Sequence, residues 1–405
     1  MMMSALRKMK MSKYKKANIL HISNGDDQLG SAKCLYDILS YELTQKDIRP
    51  IVLTPFHNKM NEFCENNNIE NYAIKYCWFM YPVHDKTAFI KYPIRMAEYY
   101  GGLKRAISII EKKIDLKSVD LIHTNNCGLD IGMLISDKYQ IPHVWQLREH
   151  GFTQFRFTPF RFNAIQYMIR SPYTTFVAVS ETTKAEWVQL GIPHDRILVS
   201  YDGVQPPTEL QSKTKSDKIR FVMCGAISET KGVDLVVKAF AKLPQVMRKR
   251  LSLDLWGDGT SQFKQHIKAL IEKNSLKDVV HLKGFTNNIW GTLSNYDVGI
   301  NCTNFEAFGR CTVEYLMSGM PVLAANTGAN TEIITHQKNG YIFNRDSLQS
   351  LADGLIHFTK HIEDYRLRSE IISNNAIERF SAQASSERLL SLFREKVVNY
   401  CNHER

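Results

Sequence analysis

The sequence predicts an α/β protein of two Rossmann-like domains, and three observations carry that reading. Short apolar runs alternate with helical patterns through the first half, the pattern stops in a polar, proline-containing stretch at 203–217, and the same alternation then restarts. Repeated β-α units imply a parallel sheet covered on both faces. At 405 residues there is room for two ordinary cores, and 44% hydrophobic with 23% charged residues is a globular composition.

In the first half, strand-like runs fall at 17–22, 51–53, 120–123, 142–147, 176–179 and 197–199, with a helical pattern such as 32–43 between them. These give a first domain over 17–202, after a basic tail at 1–16. Residues 203–217 carry prolines and polar residues without an apolar period and read as a linker. The second domain, 218–376, begins with a strand at 219–224 and an amphipathic helix through Val233, Val236, Val237, Phe240 and Leu243. An alternating strand follows at Leu251, Leu253 and Leu255, then a helix with Phe263, Ile267, Leu270 and Ile271 on one face. Further strands are expected near 279–282, 298–302 and 322–324, and a last helix over 377–405.

The most informative stretch is Glu306-Ala307-Phe308-Gly309-Arg310-Cys311-Thr312-Val313-Glu314, which continues through Gly319-Met320-Pro321-Val322 to the 328–332 loop. Two glutamates eight positions apart, one beside a Phe-Gly turn and one in a helix opening from it, suit a ligand with hydroxyls at both ends and phosphates between. Eight helical residues rise roughly 12 Å, about the reach from a sugar across a diphosphate to a ribose. Glu306 then accepts hydrogen bonds from sugar hydroxyls and Glu314, two turns in, from the ribose. The amides of Phe308, Gly309 and Arg310 at the helix start face the diphosphate, where the helix dipole favours negative charge.

These residues resemble the retaining glycosyltransferases of family 4, whose signature is a Glu, seven residues and a second Glu. Ala307 stands where that family usually has Gly, a small-for-small change. Upstream, Gly225-Ala226-Ile227-Ser228-Glu229-Thr230-Lys231-Gly232 is similar to the family's G-R-L-x-x-x-K-G segment, and Trp256-Gly257-Asp258-Gly259 and Gly284-Phe285 follow at familiar spacings. The resemblance runs over most of 218–356. It implies the GT-B fold, two Rossmann-like domains facing across a cleft, with the C-terminal helix crossing back onto the first. It also implies Lys231 on the diphosphate as the only cation of the usual pair, because the family's phosphate-binding Arg falls on Ala226. Thr312 adds a hydroxyl to the phosphate cluster in this reading, and Gly225, Gly257, Gly284 and Phe285 line the donor. Retention of configuration, a hexose-type sugar and a UDP donor come from the resemblance alone.

In the first β-α turn, Gly30 and Ser31 open a helix, so their amides meet the donor phosphate or simply connect strand to helix. Trp145-Gln146-Leu147-Arg148-Glu149-His150 ends a strand on the side where α/β sheets present ligand groups. Arg148 takes the place of a family His that contacts the donor sugar, with His150 two residues on; the two stay open as candidates, against a plain Arg148–Glu149 salt bridge. No Asp-x-Asp triplet occurs, so no metal and no cofactor are expected, and charge for the leaving diphosphate falls to Lys231, helix N-termini and Arg148.

The net charge of +11 is uneven, with Arg7, Lys8, Lys10, Lys13, Lys15 and Lys16 ahead of any acid. Such a cluster attracts an anionic membrane surface or stays solvated; no nucleic-acid motif accompanies it. The stretch Phe155-Arg156-Phe157-Thr158-Pro159-Phe160-Arg161-Phe162 interleaves rings with cations, as does 86–113. Either an interfacial surface or a buried helix with snorkelling cations fits that mixture. Eight scattered cysteines without C-x-x-C pairs read as free thiols, and no run of 18 apolar residues offers a membrane span. A cytoplasmic chain, peripheral at the inner face of the plasma membrane, is expected, acting on glycan or lipid-linked acceptors of surface-polysaccharide synthesis. The alternatives carried with it are a GT-B sugar-nucleotide epimerase or phosphorylase, and a non-catalytic nucleotide-sugar or nucleic-acid binding protein.

Overall fold

The structure, a computed structural model, describes residues 16–25, 30–83, 86–149, 151–152, 157–209 and 216–403. The basic tail before Lys16, His150, Phe155 and Arg156 lie outside the described residues. The chain divides into two compact units, the first running to Gly203 and resuming at Ala382, the second comprising Val204–Ser381.

Unit 1 is organised on seven strands. In chain order they are β1 (Ala17–Ile22), β2 (Ile48–Thr54), β3 (Glu70–Ala73), β5 (Leu121–Thr124), β6 (His143–Leu147), β8 (Thr174–Ala178) and β9 (Ile197–Val199), all paired in parallel in the order β3-β2-β1-β5-β6-β8-β9. A separate antiparallel pair joins β4 (Met80–Pro82) to β7 (Phe157–Pro159). The central strands β5 and β6 are buried end to end and β1 from its second residue on, as expected of a parallel sheet covered on both faces. Helix α1 (Gly30–Glu42) buries Ala32, Cys34, Leu35, Ile38 and Leu39 at helical spacing. Helix α2 (Lys86–Lys113) is longer and carries Pro93 inside it.

Unit 2 has six strands: β10 (Ile219–Cys224), β11 (Leu251–Trp256), β12 (Val280–Gly284), β13 (Val298–Asn301), β14 (Val322–Ala325) and β15 (Gly340–Phe343). Their order is β12-β11-β10-β13-β14-β15, again all parallel. Helix α3 (Val233–Lys242) buries Val233, Val236, Val237 and Phe240, the positions its apolar period marks. Helix α4 (Arg310–Met317) follows β13, and α5 (Ser369–Phe380) packs against α4.

The last helix differs from the one expected over 377–405. Residues 377–380 belong to α5, and Ser381, at φ −62 and ψ 150, is extended and ends it. A separate helix α6 (Ala382–His403) then packs on α1 of unit 1, burying Leu389, Leu390 and Phe393 against Ile19, Leu121, Val144 and Val177. The chain thus passes between units twice, and at the second passage Val204 N donates to Phe380 O at 2.9 Å. The edge strands β3 and β15 lack the long apolar runs of the central ones and were not among the expected strands.

In unit 2, Asp297 ties three elements together. Its Oδ2 accepts from Arg220 N at 2.9 Å and Arg220 Nε at 3.1 Å, and its Oδ1 from Arg366 Nη2 at 2.9 Å. Burial pushes this carboxyl's pKa up, but the hydrogen bonds and charges of Arg220 and Arg366 outweigh it, so the net position is below the usual carboxylate value. A folded pKa below the unfolded one, about 3.9, contributes stability that is full above the unfolded value and lost as pH falls through the folded one. Asp297→Asn is therefore expected to cost about 3–5 kcal/mol at pH 7 by removing the buried carboxylate that Arg220 and Arg366 share, although Arg366 keeps its pair with Glu363. The gap to the parent should narrow below about pH 4, which urea titrations at pH 7 and pH 3 measure directly.

Candidate functional site

The strand order of unit 2 singles out one place. From β10 the chain winds outward to β11 and β12, then returns to the other side of β10 as β13. In open α/β sheets the crevice at such a switch, beyond the carboxyl ends of the strands, is where ligands bind. The loop after β10 supplies Lys231 and the loop after β13 supplies Glu306, and Lys231 Nζ lies 3.9 Å from Glu306 Oε2. The ammonium keeps 36% of its side chain exposed and the carboxylate 14%, so an ion pair straddles the crevice with its cation open to solvent.

Glu306 is held from below by a carboxamide network. Asn301, at the end of β13 and buried, donates from Nδ2 to Glu306 Oε2 at 3.1 Å and to Thr312 Oγ1 at 2.8 Å. Thr312 Oγ1 donates in turn to Asn330 Oδ1 at 3.0 Å. Asn301 Oδ1 accepts from Thr303 N at 3.1 Å, which fixes the amide's orientation. Asn330 is fully buried, and its Nδ2 has no hydrogen-bond partner among the described residues.

Helix α4 is preceded by Gly309, at φ +92, which has no side chain to cap the first turn. A helix start of this kind favours an anion. Because α4 starts at Arg310, Glu306 sits in the turn and Glu314 only about one helical turn in, so the 12 Å helical rise between the two glutamates does not apply. Thr312 also departs from expectation. Its side chain is buried and its hydroxyl committed to Asn301 and Asn330, so it supports Glu306 instead of facing a ligand. Ala307 and Phe308 are buried, Phe308 with its ring 5.9 Å from Phe380. Cys311 lies near Lys231, Glu306 and Glu314, and burial first, then the neighbouring carboxylates, pushes its thiol pKa well up, which makes it a poor nucleophile.

The other glycines line up along the same edge. Gly225 N donates to Trp256 O at 2.9 Å and Gly257 N to Gly284 O at 2.7 Å, so the turns after β10, β11 and β12 lie side by side. A Cβ on Gly257 would fall 1.7 Å from Gly225 O, a distance no side chain tolerates. Ala226 is exposed beside them, and Phe285 is exposed at the end of the outer strand β12.

Unit 1 has its own switch point, between β1 and β5. Ser31 O accepts from Asn125 Nδ2 across it at 2.9 Å, and Gly30 is the exposed first residue of α1. The alternative, a plain Arg148–Glu149 bridge, is not formed. Arg148 is buried, pairs with Asp202, and donates to Asn125 O at 3.1 Å, Asn125 Oδ1 at 3.0 Å and Gln146 Oε1 at 2.6 Å. Its guanidinium is thereby spent inside unit 1, which corrects the expectation that it supplies open charge to a ligand. Glu149 instead accepts from Asn126 Nδ2 at 2.7 Å, and burial pushes its pKa up despite Cys127 and Arg148. At the end of β1, Asn24 is 8% exposed and both its amide atoms are without a partner among the described residues.

Sequence reasoning missed Asn24, Asn125, Asn301 and Asn330. The available signal was position: each follows an apolar strand or opens the short helix after one, where a carboxamide has no reason to be unless it hydrogen-bonds.

Comparison with known proteins places the chain in a family and a fold. Residues 35–206 match the family model described as Glycosyltransferase Family 4, and residues 207–378 the one described as Glycosyl transferases group 1. HepE of Anabaena, solved in complex with UDP, superposes with a TM-score of 0.73 over 94% of this chain and 100% of that one, at 18% identity. Among curated relatives, a poly(ribitol-phosphate) alpha-N-acetylglucosaminyltransferase of Staphylococcus aureus is 26% identical over 168 residues, 40% of this chain. The lipopolysaccharide core biosynthesis mannosyltransferase LpsB of Rhizobium meliloti is 28% identical over 226 residues, 52% of this chain. The matched stretches span 33% and 62% of those two proteins' own lengths. The chain belongs to the group 1, family 4 glycosyltransferases and has their GT-B fold.

The network under Glu306 is open to a direct test. Asn301→Asp replaces a donor by a second carboxylate 3.1 Å from Glu306 Oε2 without changing shape. It is expected to cost about 2–3 kcal/mol at pH 7, from like-charge repulsion and a lost buried donor. Equal urea midpoints for the two proteins would show that Asn301 does not hold Glu306.

Proposed function

We propose that the chain transfers a hexose-type sugar, with retention, from a nucleoside diphosphate sugar to a hydroxyl of a glycan or lipid-linked oligosaccharide in surface-polysaccharide synthesis. UDP is the favoured nucleotide. The observation that carries the reading is the Lys231–Glu306 pair at the switch point of unit 2, beside a helix start capped by a glycine. The names of the relatives and the UDP complex of HepE support the same class of donor and acceptor.

The roles follow from charge and position. Lys231 and the start of α4 bind the diphosphate and stabilise the charge that develops on it as the glycosidic bond breaks. Glu306, its Oε2 fixed by Asn301, accepts from sugar hydroxyls, and Glu314 from the ribose. Glu306 already has a partner on each side, so it is suited to orient the sugar. With no exposed nucleophile assigned beside it, we favour front-face attack, in which the departing phosphate oxygen takes the acceptor's proton and catalysis is mainly positioning. Asn24, whose buried amide offers both a donor and an acceptor, is assigned to the acceptor's hydroxyls. Arg148 positions Asn125 and Gln146 and is not assigned a substrate contact. Divalent metal is not part of this scheme.

Lys231→Ala is expected to lower kcat by about 10²–10³ with little change in donor KM, whereas Glu314→Ala should raise donor KM by roughly tenfold as one charge-assisted hydrogen bond is lost. Release of UDP from UDP-sugars, followed with and without a glycan acceptor, reads both. A Lys231→Ala enzyme of full activity, UDP release that ignores the acceptor, or loss of turnover in EDTA that magnesium restores would each overturn the scheme.

A further inference from the structure

Helix α2 turns an apolar surface in both directions. Its inner face buries Ala88, Tyr99, Ala106 and Ile110 in unit 1, as a surface helix should. At 100° per residue, Phe89, Ile90, Pro93, Ile94, Ala97 and Gly101 lie together on the opposite side, and every one of them is exposed. Phe89 and Ile90 are each 70% exposed and Ile94 58%. Around Gly101 and the neighbouring Gly102 there is nothing within 4 Å of where a Cβ would stand. A contiguous apolar stripe on a helix is normally covered; here the outer stripe has no covering element among the described residues.

The patch continues beyond the helix. Tyr92 Oη donates to Pro159 O at 2.6 Å and Tyr100 Oη to Phe160 O at 2.9 Å, which holds the segment after β7 along the helix. That segment presents Phe162, 94% exposed, next to Arg161, which stacks on Tyr100 and Tyr167. A cleft of about 650 Å³ lined by Tyr92, Phe160, Arg161 and Phe162 opens here.

Charge decides what covers such a face. Residues 86–105 contain five basic side chains (Lys86, Lys91, Arg95, Lys104, Arg105) against one acid, Glu98, and 155–170 contain Arg156, Arg161 and Arg170 with no acid. Glu98 is itself paired with Arg95 at 2.7 Å. A second copy docking by a two-fold axis would bring the same patch, and the same excess of cations, onto itself. An anionic bilayer surface instead offers negative charge for the cations and an acyl boundary for phenylalanine and isoleucine. No helix among the described residues is long and apolar enough to cross a membrane, so contact of this kind would be made from one side.

We infer that the outer face of α2, with Phe162, is a docking surface for anionic lipid bilayers, with Phe89, Ile90, Ile94 and Phe162 inserting at headgroup level and Lys91, Lys104 and Arg105 on lipid phosphates. The inference does not rest on the donor or on the transfer chemistry.

The test is flotation of the full chain with vesicles of phosphatidylcholine alone and of phosphatidylcholine with an equal part of phosphatidylglycerol. The parent is expected to float with the anionic vesicles at least tenfold more than with the neutral ones. A Phe89→Ser, Ile90→Ser, Ile94→Ser variant should lose that excess at least tenfold while keeping the parent's thermal midpoint, since those side chains face solvent. Lys8→Gln, Lys10→Gln, Lys13→Gln, Lys15→Gln in the tail, and Val246→Ser at an exposed apolar position of unit 2, should leave flotation in place. Absence of flotation, flotation unchanged in the triple variant, or a dimer by light scattering that the triple variant converts to monomer would overturn the inference.

Discussion

The site in unit 2 depends on backbone touching backbone. Ala329 N donates to Glu306 O at 2.9 Å, and a Cβ on Gly328 would fall 2.0 Å from that same oxygen. Gly328 also sits at φ +52, where a side chain is strained in any surroundings. The loop after β14 can therefore lie directly on the loop after β13 only because a glycine is there, and that contact sets the height of Glu306 above the sheet. Lys231 is brought to the same height from β10, which pairs with β13 in the sheet. An ion pair at 3.9 Å is loose enough to be parted by a ligand phosphate, yet its carboxylate stays fixed because Asn301, not Lys231, is its nearer partner.

Much of this was legible in the sequence, and the reasons are physical. Apolar runs reveal central parallel strands because those strands are buried on both faces, and β1, β5, β6, β10 and β13 announce themselves in this way, while β11 shows through the alternation of one fully buried face. That Glu306, Lys231 and the turn glycines come together at one edge of unit 2 was legible because residue type and spacing at strand ends limit where such residues fall. Edge strands such as β15 are half-wet and short, so their pattern is weak. The helix boundary at Ser381 turns on one residue's backbone angles, which composition does not encode. Arg148 was misread for a different reason: its partner Asp202 is 54 positions away and reaches it only through the fold.

The two units use one topology for different electrostatics. At its switch point unit 2 places an ammonium, a carboxylate and a helix start, the parts needed to meet a charged diphosphate. Among the described residues, unit 1 places the carboxamides of Asn24 and Asn125 at the corresponding position, and Arg148 nearby is held in a pair with Asp202. Carboxamides both donate and accept without charge, which suits them to hydroxyls.

Beneath that surface a buried polar chain runs through unit 1 and fixes the tautomer of His123. Glu42 Oε2 lies 3.0 Å from His21 Nε2, His21 Nδ1 2.8 Å from His123 Nδ1, and His123 Nε2 3.0 Å from Gln146 Oε1, which already accepts from Arg148. A carboxamide oxygen facing a guanidinium must be an acceptor, so His123 Nε2 carries a hydrogen and donates to it. Burial, and the charges near it, hold the His123 pKa well below its ordinary value, so the ring is neutral and its Nδ1 must accept. His21 Nδ1 therefore donates. Its Nε2 faces Glu42 Oε2, and the orientation of Gln146, hence of Arg148 and Asn125, is set from the floor upward. Phe393 of α6 closes this chain from solvent, with its ring 5.2 Å from that of His123. The helix that returns from the end of the sequence thus completes the interior that aligns unit 1's strand ends.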